Sequence, residues 1–313
     1  MKPQLAENWI PEKLTFPKLI QPKIDGVRAV YLDKFTGRSL KPFANKALNE
    51  KFSDERFKGF DGELSAGDVS SSSLCRDTTS ATNTINGSAD SIIWNVFDYV
   101  TEQTVNLPYS ERVSILRDKV TELENSGIKF IHVVPSVMTY SLEEVERMDS
   151  HFLEQNLEGS ILRNPDAKYK EGRSSKKVQE LWRIKRFTEK EAVVKSIVEG
   201  RHNLNEATTN ELGRTERSSH KENQVPNGLV GSMTCIDIET NQEITVAAGA
   251  LTADLRKHYF ENQNELIGQC IKYRTFEHGK KDLPRFPQFH SIRSVDDMDD
   301  KLLKSYKQIL TSL

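Results

Sequence analysis

Apolar residues gather in several short stretches set between polar ones. "VRAVYLD" (27–33), "GFDGELS" (59–65), "IIWNVFDYV" (92–100), "EGSILRN" (158–164) and "ELWRIKRF" (180–187) all read as strands. Two segments between them change to the helical period. In "SERVSILRDKVTELENSG" the apolar positions Val113, Leu116, Val120 and Leu123 fall on one helical face, and Gly127 is placed to stop the helix. "SLEEVERMDSHFLEQN" opens on Ser141 with Glu144 three residues later, a capping box. Strands interrupted by isolated helices predict an α+β domain with antiparallel sheets.

Past Phe187 the texture shifts. "TEKEAVVKSIVEG", "GLVGSMTCIDI", "EITVAAG" and "QCIKYRTFE" read as strands, with one helix-like run, "TADLRKHYFENQNELIG", among them. About five strands and a helix in roughly 105 residues suit a small Greek-key β-barrel of the OB type. The expected division is therefore 1–187, 188–295 and an acidic C-terminal tail, 296–313. Two stretches, 65–91 and 201–228, are rich in Ser, Thr, Asn and Gly and lack apolar periodicity. They read as surface loops, or as loops that close on a polar polymer.

Composition narrows the class. Hydrophobic residues make up 36% and charged residues 29% of 313, a globular balance. No apolar run approaches the roughly 20 residues needed to span a bilayer, and the start lacks a signal-peptide core, so a cytoplasmic protein with no membrane partner is expected. Three scattered cysteines, Cys75, Cys235 and Cys270, suggest a reducing compartment and no disulfide framework. The net charge of −2 hides an uneven distribution: Arg163 to Lys190 holds ten Lys or Arg against four acids. A local basic surface is available for phosphates.

The chemistry starts at "QPKIDGVRAV" (21–30), where Lys23 ends a strand-like run before a glycine. Alone, Lys23 is equally well a snorkelling strand-end lysine or a nucleophile. The ordered set that follows decides it: "GRSLKPFANK" from 37, "FDGEL" from 60, "VFDYV" from 96, "LEGSILRNP" from 157, "LWRIKRF" from 181 and "RFPQFHSIR" from 285. This series resembles the covalent nucleotidyltransferases, and among them the small ATP-dependent DNA ligases of bacteriophage type. It runs from about Gln21 to Arg293.

The resemblance implies an ATP-grasp-like nucleotidyltransferase domain of antiparallel sheets and helices, followed by an OB-fold domain. It implies ATP and Mg²⁺ (or Mn²⁺) as cofactors, nicked duplex DNA as partner, and a monomer at work in DNA replication, repair and recombination. Lys23 becomes the amine that takes AMP, with Lys185 as the α-phosphate contact. An unperturbed lysine, with a pKa of about 10.4, is neutral in roughly one molecule per 2500 at pH 7, so surrounding cations must favour the neutral amine.

Gln21, Arg28 and Arg38 join the nucleotide and 5′-phosphate contacts, a task that suits the guanidinium fork. Glu63 meets the ribose hydroxyls and also serves the metal. Phe97 stacks on adenine, although core packing explains a Phe in that strand as well. Glu158 binds the metal, because Mg²⁺ needs only one or two carboxylates beside phosphate oxygens. Relatives usually carry two lysines at the positions of Arg183 and Lys185; strand alternation puts both on one face. Arg76, Lys168, Lys170 and Arg173 are the candidate DNA contacts. Arg285 and Arg293 match a motif that closes over pyrophosphate.

The 22 residues before Lys23 leave no room for the extra domain of NAD⁺-dependent enzymes, which favours ATP. An RNA ligase or capping-type nucleotidyltransferase would use the same lysine. A non-catalytic nucleic-acid-binding protein would keep the fold but not Lys23, Glu63, Glu158 and Lys185 together.

Overall fold

A computed structural model describes residues 1–276 and 283–313. The chain forms two compact units, Met1–Lys185 and Arg186–Leu313.

In the first unit two five-stranded sheets carry the fold. One runs, in spatial order, Glu7–Asn8, Leu181–Lys185, Gly159–Arg163, Lys18–Pro22 and Val137–Thr139. The other runs Phe35–Gly37, Val27–Tyr31, Phe60–Ala66, Ile92–Tyr99 and Ile131–Val133. Helix α1 (Lys46–Phe52) buries Leu48 and Phe52 against the second sheet, where Trp94 meets Phe35 and Phe52 edge-on. Such aromatic pairs add about 0.5–1.5 kcal/mol each beyond their buried area. Helix α2 (Leu74–Asn83) lies where the sequence reading expects a loop. Its inner face is Leu74, Thr78 and Thr82, spaced four residues apart; Thr78 Oγ1 accepts from the Ala66 N–H at 2.9 Å. Polar threonines bury this face, so no apolar period betrays it.

Helix α3 (Tyr109–Asn125) buries the expected Val113, Leu116, Val120 and Leu123 and stops at Gly127, φ +95°. Helix α4 (Leu142–Glu154) starts as its capping box demands: Ser141 accepts from the Glu144 N–H. The Glu144 carboxylate reaches one residue further back than the box requires, to the Tyr140 N–H. Buried Asp149 of α4 accepts from Ser160 Oγ at 2.7 Å and so ties the helix to the first sheet.

The second unit is a closed five-stranded barrel: Thr188–Asn203, Gln224–Asp237, Glu243–Ala247, Arg285–Ile292 and Cys270–Phe276. Helix α5 (Ala253–Glu261) is the internal helix expected of the OB type. Residues 201–228 are ordered as the outer ends of the first two barrel strands with a hairpin, Ala207–Thr209 against Thr215–Arg217. The C-terminal run of acids leads into helix α6 (Asp300–Ser312), whose Tyr306 and Ile309 pack with Val193 and Cys270 of the barrel.

Candidate active site

Lys23 follows the strand Lys18–Pro22, and its N–H donates to the Gly159 carbonyl at 2.8 Å. Gly159 holds φ at +143°, and a Cβ there would lie 2.8 Å from the Ile184 carbonyl oxygen. No other residue fits both demands. This glycine therefore fixes Glu158, next to it, against Lys23. Gly26 has a different reason: a Cβ would stand 2.0 Å from the Leu64 carbonyl oxygen, so close strand contact requires glycine there.

The side chains confirm that grouping. Lys23 Nζ pairs with Glu158 Oε2, and Lys185 Nζ stands 3.7 Å from Glu158 Oε1. Strand register supplies the rest. Gln21 and Arg183 both pair with Ile161, and Arg28 and Asn95 both pair with Glu63, so each set lies abreast across its sheet. A cavity of about 200 Å³ is lined by Gln21, Lys23, Arg28, Arg38, Glu63, Phe97, Arg163, Arg173 and Arg183, with Leu5 and Ala6. Seven expected nucleotide residues thus line one hollow; the eighth, Lys185, and Glu158 stand outside the lining and are linked to it by the pairing of Glu158 with Lys23.

Electrostatics favour an anion there. Arg28 is bidentate to buried Asp61, with Nε 2.5 Å and Nη2 2.7 Å from its oxygens. Burial alone would favour its neutral form, but Asp61 outweighs this and holds the group above the ordinary arginine value. Burial lowers Arg183, and the nearby Arg173 and Arg38 lower it further, against Glu158 and Glu7. Phe97 is half-buried, with the guanidinium carbons of Arg28 and Arg163 at 4.6 Å and 4.9 Å from its ring centre. Its ring is a cation-bearing platform as well as a cavity wall.

Burial pushes the Glu63 carboxyl up to about 7; Glu158 and Asp61 add to the rise, while Lys23 and Arg28 oppose it. Folded Glu63 therefore holds a proton that the unfolded chain releases near 4.5. Stability contributed by the neutral form is complete below that value and is lost as pH rises towards 7. Glu63→Gln should melt like the wild type at pH 4. At pH 8 it should be more stable by about 2 kcal/mol, a figure reduced for partial exposure. Parallel melts at both ends of the range check this; equal gains at both pH values would mean that Glu63 does not keep its proton on folding.

The donor set suits a hard divalent cation. Glu63 and Glu158 lie close enough for each carboxylate to feel the other, with Asp61 also in range. Among the described residues no three His, Cys, Asp or Glu side chains form a cage. One or two carboxylates that leave room for phosphate oxygens are what Mg²⁺ takes.

Other expected residues lie elsewhere. Arg76 is exposed on α2, bonded to Asp77, and does not line the cavity. Lys168 is exposed and Lys170 half-buried. Arg285 and Arg293 belong to the second unit, at the start of its strand Arg285–Ile292 and just after it. There Arg293 Nη2 donates to the Asp297 carbonyl.

Sequence reasoning missed the layer beneath. Asp98 accepts from Arg112 at 2.8 and 3.1 Å and from Arg163 at 3.3 Å, all three buried. Arg163 Nε donates to Gln21 Oε1 at 2.9 Å, Gln21 Nε2 to the Tyr109 hydroxyl at 2.9 Å, and that hydroxyl to the Phe97 carbonyl at 2.8 Å. Asp61 was missed too. One signal was present: an acid inside each of the apolar strands Phe60–Ala66 and Ile92–Tyr99 asks for a buried cation.

Residues 3–185 match the model of the ATP dependent DNA ligase domain, and 223–293 that of the DNA ligase OB-like domain. No curated protein matches at a significant level. Among solved structures, Chlorella virus DNA ligase-adenylate is 27% identical, over 94% of this chain and 99% of that one, with a TM-score of 0.52. A Lig E DNA ligase is 18% identical over 94% and 99%, TM-score 0.68, and shares the fold. So does the bacteriophage T7 ATP-dependent DNA ligase, 14% identical over 93% and 98%, TM-score 0.50. With more than half of its length matched by the catalytic-domain model and an OB-like domain after it, the chain belongs to the ATP-dependent DNA ligase family.

Proposed function

We propose that the protein seals 5′-phosphate/3′-hydroxyl nicks in duplex DNA through a lysyl-AMP intermediate. The observation that carries this is Lys23 and Lys185 meeting on Glu158, beside a cavity lined by Arg28, Glu63 and Arg183. Lys23 Nζ attacks the α-phosphorus of ATP; a P–N bond forms and the P–O bond to pyrophosphate breaks. The AMP then passes to the 5′-phosphate at the nick. The 3′-hydroxyl attacks that phosphorus, and AMP leaves as the strand closes.

Through these steps the chain's work is positional and electrostatic. Lys185 offsets negative charge growing on the α-phosphate, and Arg183, on the same strand face, holds the triphosphate in ground and transition state alike. Glu63 accepts from the ribose hydroxyls, and Phe97 with Gln21 walls the base. Mg²⁺ or Mn²⁺, when bound, supplies charge neutralisation at the phosphates, and Glu158 with Glu63 would hold it.

Incubation with α-labelled ATP and Mg²⁺, then a denaturing gel, tests the reading. Label should stay on the chain, leave on addition of pyrophosphate, and move to nicked DNA. Nicked DNA should outrun nicked RNA, and GTP should give no label; a protein that takes no label has another function.

Contact with DNA is assigned to the basic stretch 164–179 and to Arg76, with the description of Lig E as DNA binding on a minimal scaffold in support. Removing Lys168, Lys170 and Arg173 together should lower nicked-duplex affinity by about 10–100-fold near 0.1 M salt and flatten the salt slope by up to ~3. Affinity measured against salt decides this, and an unchanged slope would move the DNA path elsewhere.

A further inference from the structure

The segment 3–9 belongs to none of the motifs, yet it forms a wall of the cavity through Leu5 and Ala6. It is laid across the strand ends like a strap. Gln4 and Leu5 pair in parallel with Gly172 and Arg173, then Glu7 and Asn8 pair in parallel with Trp182 and Arg183. Its polar groups take arginines. The Gln4 carbonyl accepts from Arg28 Nη2 at 3.4 Å, the Ala6 carbonyl from Arg173 Nη1 at 3.0 Å, and Asn8 Oδ1 from Arg183 Nε at 2.9 Å.

The last contact differs in kind. Backbone carbonyls come with any sequence, but the acceptor on Arg183 is a side chain. It takes the Nε hydrogen, the inner donor of the guanidinium, and among the described residues neither terminal amino group is hydrogen-bonded. Arg183 lines the cavity together with Arg173 and Arg38, so three guanidinium groups face the hollow and can meet a polyanion, while Glu158 and Glu7 temper their mutual repulsion. A neutral asparagine fixes the fork without cancelling its charge, as an aspartate would. The planar guanidinium then offers two parallel N–H groups, the geometry that grips a phosphate in bidentate fashion.

We propose that Asn8 is a positioning residue for Arg183, holding the guanidinium by Nε so that both terminal amino groups meet a phosphate of the bound nucleotide. This rests on the cavity being the ATP site, and the test separates the two. The rate of self-adenylation is measured against ATP concentration for wild type, Asn8→Ala, Arg183→Ala and the double variant, with melting temperatures beside it.

Asn8→Ala should raise KM for ATP about tenfold and leave kcat within about twofold, the size of one lost charged contact. Because Asn8 is exposed, its melting temperature should stay within about 2 °C of wild type. Arg183→Ala should raise KM further, and on that background Asn8→Ala should add nothing. Asn8→Leu, similar in size but lacking the acceptor, should behave as Asn8→Ala does and serves in its place if the smaller side chain loosens the strap. Kinetics of either variant equal to wild type, or an equal penalty with and without Arg183, overturns the proposal. A wild type that does not self-adenylate sinks the nucleotide reading instead.

Discussion

Lys23→Ala should abolish transfer of label from α-labelled ATP to the protein, a loss on the order of 10³-fold or more, because the attacking amine is gone and an alanine offers no nucleophile. Lys185 is the nearest alternative, but it stands on the strand Leu181–Lys185, 3.7 Å from the other oxygen of Glu158. Lys23→Arg should be as inactive. A guanidinium keeps the charge opposite Glu158 and the fold, but it does not lose its proton at working pH and so offers no lone pair. Both variants should still close a nick whose 5′ end already carries AMP, since the last step uses the DNA hydroxyl as nucleophile. Comparing self-adenylation with sealing of pre-adenylated nicks separates the nucleophile's role from general damage. Retained labelling in Lys23→Ala would place the covalent step on another residue and undo the lysyl-AMP mechanism at Lys23.

The residues of this first prediction were legible because each lies in a short linear pattern whose spacing is itself geometry. Lys23 and Gly26 share a turn, Glu158 adjoins the one glycine that fits beside Ile184, and Arg183 and Lys185 alternate on one strand. The barrel was legible because apolar segments separated by turn residues recur after Phe187, although its first two strands, Thr188–Asn203 and Gln224–Asp237, run on into the stretch that reads as a loop. Besides the buried acids under the cavity, other features were hidden. Helix α2 presents threonines inward, and a Thr face carries no hydropathy period. Helix α6 was open between a fraying helix and a partner-binding element, because the acids before it hide Tyr306 and Ile309, one helical turn apart. The strap escaped because its partners are distant: Asn8 and Arg183 are 175 residues apart, and no local pattern announces a contact of that range.

Asp98→Ala should be the most destabilising single change in the first unit, for it strands two cations at once. Arg112 and Arg163 are 1% and 3% exposed, and the Asp98 carboxylate that faces both is 1% exposed. Removing one partner of a buried ion pair costs about 3–5 kcal/mol, most of it the desolvated charge left behind. Arg112 has carbonyls of Leu107 and Ala167 to fall back on, at 2.8 and 3.2 Å, so its cost is partly offset. Arg163 keeps Gln21 and the faces of Phe97 and Tyr109, and its movement would carry Gln21 with it into the cavity wall. A fall in melting temperature of about 10 °C or more is expected. Asp98→Asn, which retains an acceptor but not the charge, should fall between wild type and Asp98→Ala. Pairing Asp98→Ala with Arg112→Leu should recover part of the loss, since no unpaired cation is then left on α3. Should Asp98→Ala melt within about 2 °C of wild type, the buried charges must be relaxing to water. The layer beneath the cavity would then be a packing surface and no longer the electrostatic frame that holds Phe97 and Gln21 in place.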